Sequence, residues 1–198
     1  MTLIALGGSA SVGKTTCARE LVRRLGLEEV VHVDDLSRRL QRVGCPHFLD
    51  TLDAPWQEPA DSLVAGLIAW TERLHPVIAE AAGRRAAMGA VIEGEGIDPR
   101  IARAGGWGDT EVRTVYVIEL DRETLWTTFA GRASGPRFLA LSPREQATVV
   151  EMNRGYSEWL RDEAIVAGEP WVWSRPWATL AARTAEAVSG AGRGPGRR

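Results

Sequence analysis

Residues 8–15 read Gly8-Ser9-Ala10-Ser11-Val12-Gly13-Lys14-Thr15 and satisfy every fixed position of the pattern G-x-x-x-x-G-K-[ST]. The flanks have the order this pattern needs. The apolar run Leu3-Ile4-Ala5-Leu6 stops at Gly7-Gly8, as a buried strand does. Beyond the motif, Ala18, Leu21, Val22 and Leu25 recur at helical spacing, and Gly26 can end that helix. A strand, a glycine-rich turn and a helix in direct succession leave few architectures other than an α/β sheet with this turn at its carboxyl edge.

The chemistry of such a turn follows from its backbone. Glycines let successive N–H groups of Gly8, Ser9, Ala10, Ser11, Val12 and Gly13 point inward at a helix N-terminus, whose dipole favours an anion. Lys14 then reaches the β and γ phosphates of a nucleotide, the Thr15 hydroxyl joins the shell of a Mg²⁺ ion, and Thr16 completes the contact set. ATP and Mg²⁺ are the expected ligands. Composition sharpens this point. The chain has 24 basic residues, and Lys14 is the one that is not arginine. An arginine there would put a broad planar fork where the turn has room for a compact ammonium, which explains the exception.

The remaining pattern continues the alternation. Val30–Val33 predicts a second strand ending at Asp34-Asp35. Residues 44–60, rich in proline and aromatic side chains, predict an irregular loop beside the site. Leu63, Leu67, Trp70, Leu74 and Ile78 mark a helix capped by Asp61 or Ser62 and kinked or split at Pro76. Ala90-Val91-Ile92 runs into Glu93-Gly94-Glu95 as a third strand, and residues 112–120 form a fourth, closed by Asp121. A helix through Leu125 and Phe129 follows. Ser142-Pro143-Arg144-Glu145 is a capping box that opens a long helix, with Val149, Met152, Tyr156, Trp159, Leu160 and Ile165 buried. Trp171-Val172-Trp173 predicts the fifth strand and residues 177–188 the last helix. One domain over residues 1–188 is expected, with a lid at about 131–142, an acceptor-side loop at about 44–60 and a disordered basic tail at 189–198.

Composition excludes several classes. With 24 basic against 26 acidic residues there is no global charge argument for nucleic acid or membrane. Two cysteines and three scattered histidines make neither a disulfide framework nor a zinc centre, and residues 3–6 are too short for a signal peptide or membrane span. A cytoplasmic monomer or homodimer is expected.

Taken together, Gly7 to Thr16, Val33-Asp34-Asp35-Leu36 and Val91-Ile92-Glu93-Gly94 resemble P-loop small-molecule kinases, in particular 2-phosphoglycerate kinase-like and chloramphenicol phosphotransferase-like proteins. The resemblance spans residues 2 to about 185. It implies a three-layer P-loop NTPase fold with a five-stranded parallel sheet in the order 2-3-1-4-5 and a small helical lid. It also implies an acid at the end of strand two acting as base, an acid on strand three serving the metal, and lid arginines over the phosphates.

On this basis Asp34 is the candidate general base or hydroxyl-positioning group, with Asp35 beside it as a substrate contact. Glu93 is the metal-side acid. Glu95 faces the acceptor or a lid arginine. Arg132 and Arg137 flank Ala133-Ser134-Gly135-Pro136 and can stabilise charge on the transferred phosphoryl group. Arg175, before Pro176-Trp177, is placed to stack on the nucleotide base. His47 and Trp56 are the acceptor contacts expected from the 44–60 loop, and Arg38 is available for a phosphorylated acceptor. His32 is expected as a hydrogen-bonded residue of the sheet.

The expected activity is transfer of the γ-phosphoryl group of ATP to a hydroxyl of a small-molecule acceptor. The alternative is a nucleotide-binding regulator or partner-coupled NTPase without such an acceptor. A GTPase-type Asn-Lys-x-Asp segment is absent, because Lys14 is the only lysine. Three acceptor classes fit: a phosphorylated organic acid, a nucleoside, or an antibiotic-like metabolite.

Overall fold

The computed structural model of the chain describes residues 2–190. Five parallel strands form one sheet: β1 (Leu3–Gly8), β2 (Glu29–His32), β3 (Ala90–Gly94), β4 (Val112–Ile118) and β5 (Trp171–Trp173). Their spatial order is β2-β3-β1-β4-β5, so β1 lies at the centre and hands the chain to the glycine-rich turn at its carboxyl end. This is the expected order.

Among the described residues there are eight α-helices: α1 (Lys14–Leu25), α2 (Val33–Arg42), α3 (Ala60–Gly83), α4 (Pro99–Arg103), α5 (Arg122–Gly131), α6 (Gly135–Leu139), α7 (Pro143–Ala167) and α8 (Trp177–Val188). Strand alternation on β1 builds the two sides of the sheet. Leu3 and Ala5 join Leu36, Leu67, Trp70, Tyr156 and Leu160 from α2, α3 and α7 in one core. Ile4 and Leu6 join Ala18, Leu21, Leu180 and Val188 from α1 and α8 in the other. Both faces of the sheet are therefore covered, as a parallel sheet requires. A third cluster of Leu125, Phe129, Phe138, Val149 and Val150 packs α6 between α5 and α7.

Several boundaries differ from the sequence expectation. β2 ends at His32 and α2 begins at Val33, so Asp34 and Asp35 lie in the first turn of a helix, not on a strand end. Acidic side chains are favoured there by the helix dipole. Helix α3 starts at Ala60 behind Pro59, with no side-chain cap from Asp61 or Ser62, and it runs unsplit through Pro76. Residues 44–60 contain two short 3-10 turns, Phe48–Thr51 and Pro55–Gln57. Strand β4 stops at Ile118, and the Asp121 carboxylate caps α5 by accepting from the Thr124 N–H at 2.7 Å. Ile165 is solvent-exposed, because the buried face of α7 runs through Tyr156, Leu160 and Ala164 and Ile165 lies off it. The capping box forms as expected. Ser142 N–H donates to Glu145 Oε2 at 2.8 Å, and Glu145 N–H donates to Ser142 Oγ at 3.3 Å. Ser189 and Gly190 follow α8, and the remainder of the expected basic tail lies outside the described residues. No helix among the described residues is long and apolar enough to cross a membrane.

Candidate active site

The glycine-rich turn caps α1 with Gly13 in the left-handed region at φ 91°, a conformation in which a side chain is strained. Ser11 also has positive φ, at 67°. Lys14 is buried and its Nζ donates to the Ser9 carbonyl at 2.5 Å, so the ammonium lies back across the loop it belongs to. Ser9 and Val12 turn their side chains into the protein, whereas Ala10, Ser11, Gly13, Lys14, Thr15 and Thr16 line a cavity of about 930 Å³.

Glu93, at the end of β3, faces this loop. Its Oε1 accepts from Thr15 Oγ1 at 3.0 Å and lies 2.5 Å from His32 Nδ1. The carboxylate is nearly inaccessible to solvent. His32 therefore faces the site instead of the sheet interior, a role the sequence reading assigned only to hydrogen bonding within the sheet. One buried carboxylate beside one hydroxyl is an oxygen donor pair of the kind Mg²⁺ uses together with phosphate and water. Among the described residues no cluster of three or more His, Cys, Asp or Glu side chains could hold a metal without such help.

Beyond Glu93 the chain turns at Gly94. A Cβ there would sit 2.3 Å from Val33 Cβ, so only glycine lets β3 pass this close to the start of α2. The close approach brings Asp34 of α2 and Glu95 to the same spot. Both line the large cavity and also a second one of about 250 Å³, bounded by Ser37, Arg38, Gln41, His47, Leu67, Trp70 and Leu74. Glu95 Oε1 is buried without a hydrogen-bond partner. Burial raises the Glu95 pKa above the usual carboxylate value, an effect reinforced by Asp34 and opposed by Lys14, Arg132 and a backbone hydrogen bond with Ala10. The Glu95 backbone is fixed from behind, since its carbonyl accepts from the Tyr156 hydroxyl. Tyr156 stacks on Trp159, and Trp159 packs under Arg100, which is paired at 2.7 Å with the fully buried Asp98.

In the smaller cavity the His47 ring packs edge-on against Trp70, and its Nδ1 accepts from the Leu49 N–H at 3.2 Å. That bond puts the neutral ring's proton on Nε2. Burial lowers the His47 pKa, opposed by Asp50 and Asp34.

At the end of α5, Arg132 lines the large cavity and its Nη1 donates to Ser11 Oγ at 2.8 Å. Four other expected residues lie elsewhere. Arg137 is exposed on α6, where the buried Phe138 fixes the helix and directs Arg137 outward. Asp35 pairs with Arg38 at 2.6 Å on the exposed side of α2 and lines neither cavity. Trp56 packs against the Leu125–Phe138 cluster, because its 3-10 turn docks on α7. Arg175 sits over the Trp177 ring at 3.6 Å and donates to Thr128 Oγ1 at 3.2 Å. Trp177 and Thr128 themselves line the large cavity, so the aromatic face beside it belongs to Trp177.

Two residues that position the site were missed in the sequence. Asn153 of α7 accepts from the Ala10 N–H through Oδ1 at 3.1 Å, and Ser157 Oγ lies 2.8 Å from Ser9 Oγ. Both are essentially inaccessible to solvent. An asparagine and a serine on the face of α7 that also carries Val149, Tyr156 and Leu160 are polar interruptions of an apolar stripe, and that was the available signal.

No family model matches the sequence. The chain is 32% identical over 144 residues to a curated 2-phosphoglycerate kinase of Pyrococcus horikoshii, a match covering 66% of this chain and 46% of that protein. The chain thus spans less than half the length of this relative. Among solved structures, a gluconokinase from Sinorhizobium meliloti has a TM-score of 0.55 at 14% identity, covering 96% of this chain and 93% of that one. A shikimate kinase from Acinetobacter baumannii has a TM-score of 0.56 at 17% identity, covering 96% and 94%. A shikimate kinase from Bacteroides thetaiotaomicron has a TM-score of 0.57 at 13% identity, covering 95% and 98%. At these identities the structural likeness establishes the fold. The chain thus has the fold of P-loop small-molecule kinases and is similar in sequence to a 2-phosphoglycerate kinase.

Proposed function

We propose that this protein transfers the γ-phosphoryl group of ATP to a hydroxyl of a small-molecule acceptor. The observation that carries this reading is the shared position of Asp34 and Glu95, which line both the large cavity over the glycine-rich loop and the smaller cavity beyond it. A carboxylate between two cavities can orient a hydroxyl from one toward a phosphoryl group in the other. A nucleotide-dependent regulator needs only the first cavity.

In this reading the backbone of Ser9 to Thr15, at the N-terminus of α1, binds the phosphates. Lys14 exchanges its bond to the Ser9 carbonyl for phosphate oxygens. Arg132, held at the loop by Ser11, stabilises charge on the transferred group. Thr15 and Glu93 would hold Mg²⁺, which when bound supplies neutralisation of phosphate charge. Asp34 takes the proton of the acceptor hydroxyl as its oxygen forms the new bond to phosphorus, and the bond between that phosphorus and the β–γ bridging oxygen breaks, leaving ADP. Trp177 and Thr128 border the end of the large cavity available to the nucleotide base. The two free cysteines, Cys17 and Cys45, suit a reducing cytoplasm.

The test is ADP release by the purified chain with a panel of hydroxyl compounds, with products identified by mass spectrometry. Acceptor-dependent ADP release matched by phosphorylated acceptor, abolished in Lys14→Ala, supports the reading. ATP hydrolysis indifferent to every acceptor would overturn it.

A further inference from the structure

The smaller cavity has a charge pattern that discriminates among hydroxyl compounds. We infer that its acceptor is a compact polyhydroxylated molecule carrying no anionic group. This rests on the reading above that the cavity receives the acceptor.

Two carboxylates, Asp34 and Glu95, line the cavity, and Arg38 is the one cation among its described lining residues. Arg38 already shares its charge with a carboxylate outside the cavity. Its Nη1 lies 2.6 Å from Asp35 Oδ1, and its side chain is 63% exposed at the cavity's outer edge. Lys14 and Arg132 line the nucleotide side, where the phosphates need them. An acceptor bearing a phosphate or carboxylate would therefore bring its charge beside two carboxylates, with Arg38, already shared with Asp35, as the one cation lining the cavity. Burying a charge on those terms is strongly disfavoured.

The neutral groups point the same way. Ser37, Gln41 and the Nε2–H of His47 offer uncharged donors and acceptors, and His47 Nδ1 is already occupied by the Leu49 N–H. Glu95 Oε1 is buried and lacks a partner, which a ligand hydroxyl on the cavity side would supply. Leu67, Trp70 and Leu74 form an apolar floor suited to the C–H face of a saturated ring. Hydroxyls around a ring match polar walls over an apolar base. The volume of about 250 Å³ is below the roughly 300–1,000 Å³ of pockets for drug-sized ligands, so the molecule is small. 2-Phosphoglycerate, the acid in the name of the Pyrococcus relative, fits the size but carries the wrong charge.

The experiment is isothermal titration of the full chain saturated with Mg²⁺ and the non-hydrolysable analogue AMP-PNP. The probes are 2-phosphoglycerate and shikimate as anions, against a panel of uncharged cyclic polyols and aminocyclitols of similar size. Hits are then assayed for turnover with ATP. The expected result is that members of the non-anionic panel bind and are phosphorylated, with affinities at least about 100-fold above those of the anions. Equal or tighter binding or turnover of an anionic probe would overturn the inference, as would failure of the whole non-anionic panel to bind. Saturation by AMP-PNP is measured first. If it fails, the kinase reading falls. If it succeeds and the preference is reversed, this inference alone falls.

Discussion

Thr15 Oγ1 donates to Glu93 Oε1 across 3.0 Å, and this bond joins the first turn of α1 to the carboxyl end of β3. The two residues are 78 positions apart in the chain, and the parallel pairing of β1 with β3 brings them together. Among the described residues, Glu93 is the carboxylate hydrogen-bonded to the loop hydroxyl. Glu93→Gln keeps the hydrogen bond from Thr15 and removes the charge. The expected result is a loss in turnover of about 10²–10³-fold, with a weaker Mn²⁺ signal by electron paramagnetic resonance in the presence of nucleotide. Unchanged Mn²⁺ binding would remove Glu93 from the metal side.

Asp34 and Asp35 are adjacent in sequence but differ in surroundings. Asp34 lines both cavities, and Asp35 pairs with Arg38 in solvent. Asp34→Asn should retain ATP binding and lose about 10²–10⁴-fold in turnover. Asp35→Asn should leave turnover unchanged and alter stability by no more than about 1 kcal/mol, the range of an exposed ion pair. Steady-state kinetics and a nucleotide titration on both variants check this.

Asn153 supports the glycine-rich loop from α7 through the Ala10 N–H. Asn153→Ala removes this partner from the N–H of Ala10, which lines the large cavity, at a cost of about 0.5–1.5 kcal/mol in stability. The loop loses its register, so the KM for ATP should rise more than kcat falls. Thermal unfolding and kinetics together separate this positioning role from a purely structural one, which would lower stability and leave the KM unchanged.

His47 is neutral in the fold because burial opposes its charge and the Leu49 N–H already occupies Nδ1. Its folded pKa lies below its unfolded value of 6.5. As pH falls below that value the unfolded chain takes up the proton first, so His47 contributes stability that is lost on acidification toward its folded pKa. Ring-proton NMR should show His47 titrating below 6.5, and a titration above that value would contradict the arrangement.

Legibility in the sequence followed the range of the interactions. The glycine-rich loop was readable because its chemistry is local, with Gly8 through Thr15 contiguous and flanked by a clear strand and helix. Sheet order followed from the resemblance that loop carried. Arg132 was readable from its position after α5, yet Arg137 looked equivalent until Phe138 set the orientation of α6. His47 and Trp56 share one proline-rich stretch without a period. His47 caps the first 3-10 turn and Trp56 lies in the second, which sends His47 to Trp70 and Trp56 to the Leu125–Phe138 cluster. Asn153 lies 143 residues from Ala10, and its polarity on an apolar stripe could signal a partner without naming it. The second cavity was the least legible feature, since it exists only where Gly94 lets α2 and β3 approach.

The most direct measurement is a crystal structure with Mg²⁺ and AMP-PNP. Transfer between the two cavities predicts a γ-phosphate directed at the junction formed by Asp34 and Glu95, with the His47–Trp70 cavity enclosed beyond it. A γ-phosphate facing open solvent, with Asp34 and Glu95 turned away from it, would contradict phosphoryl transfer to a small-molecule hydroxyl.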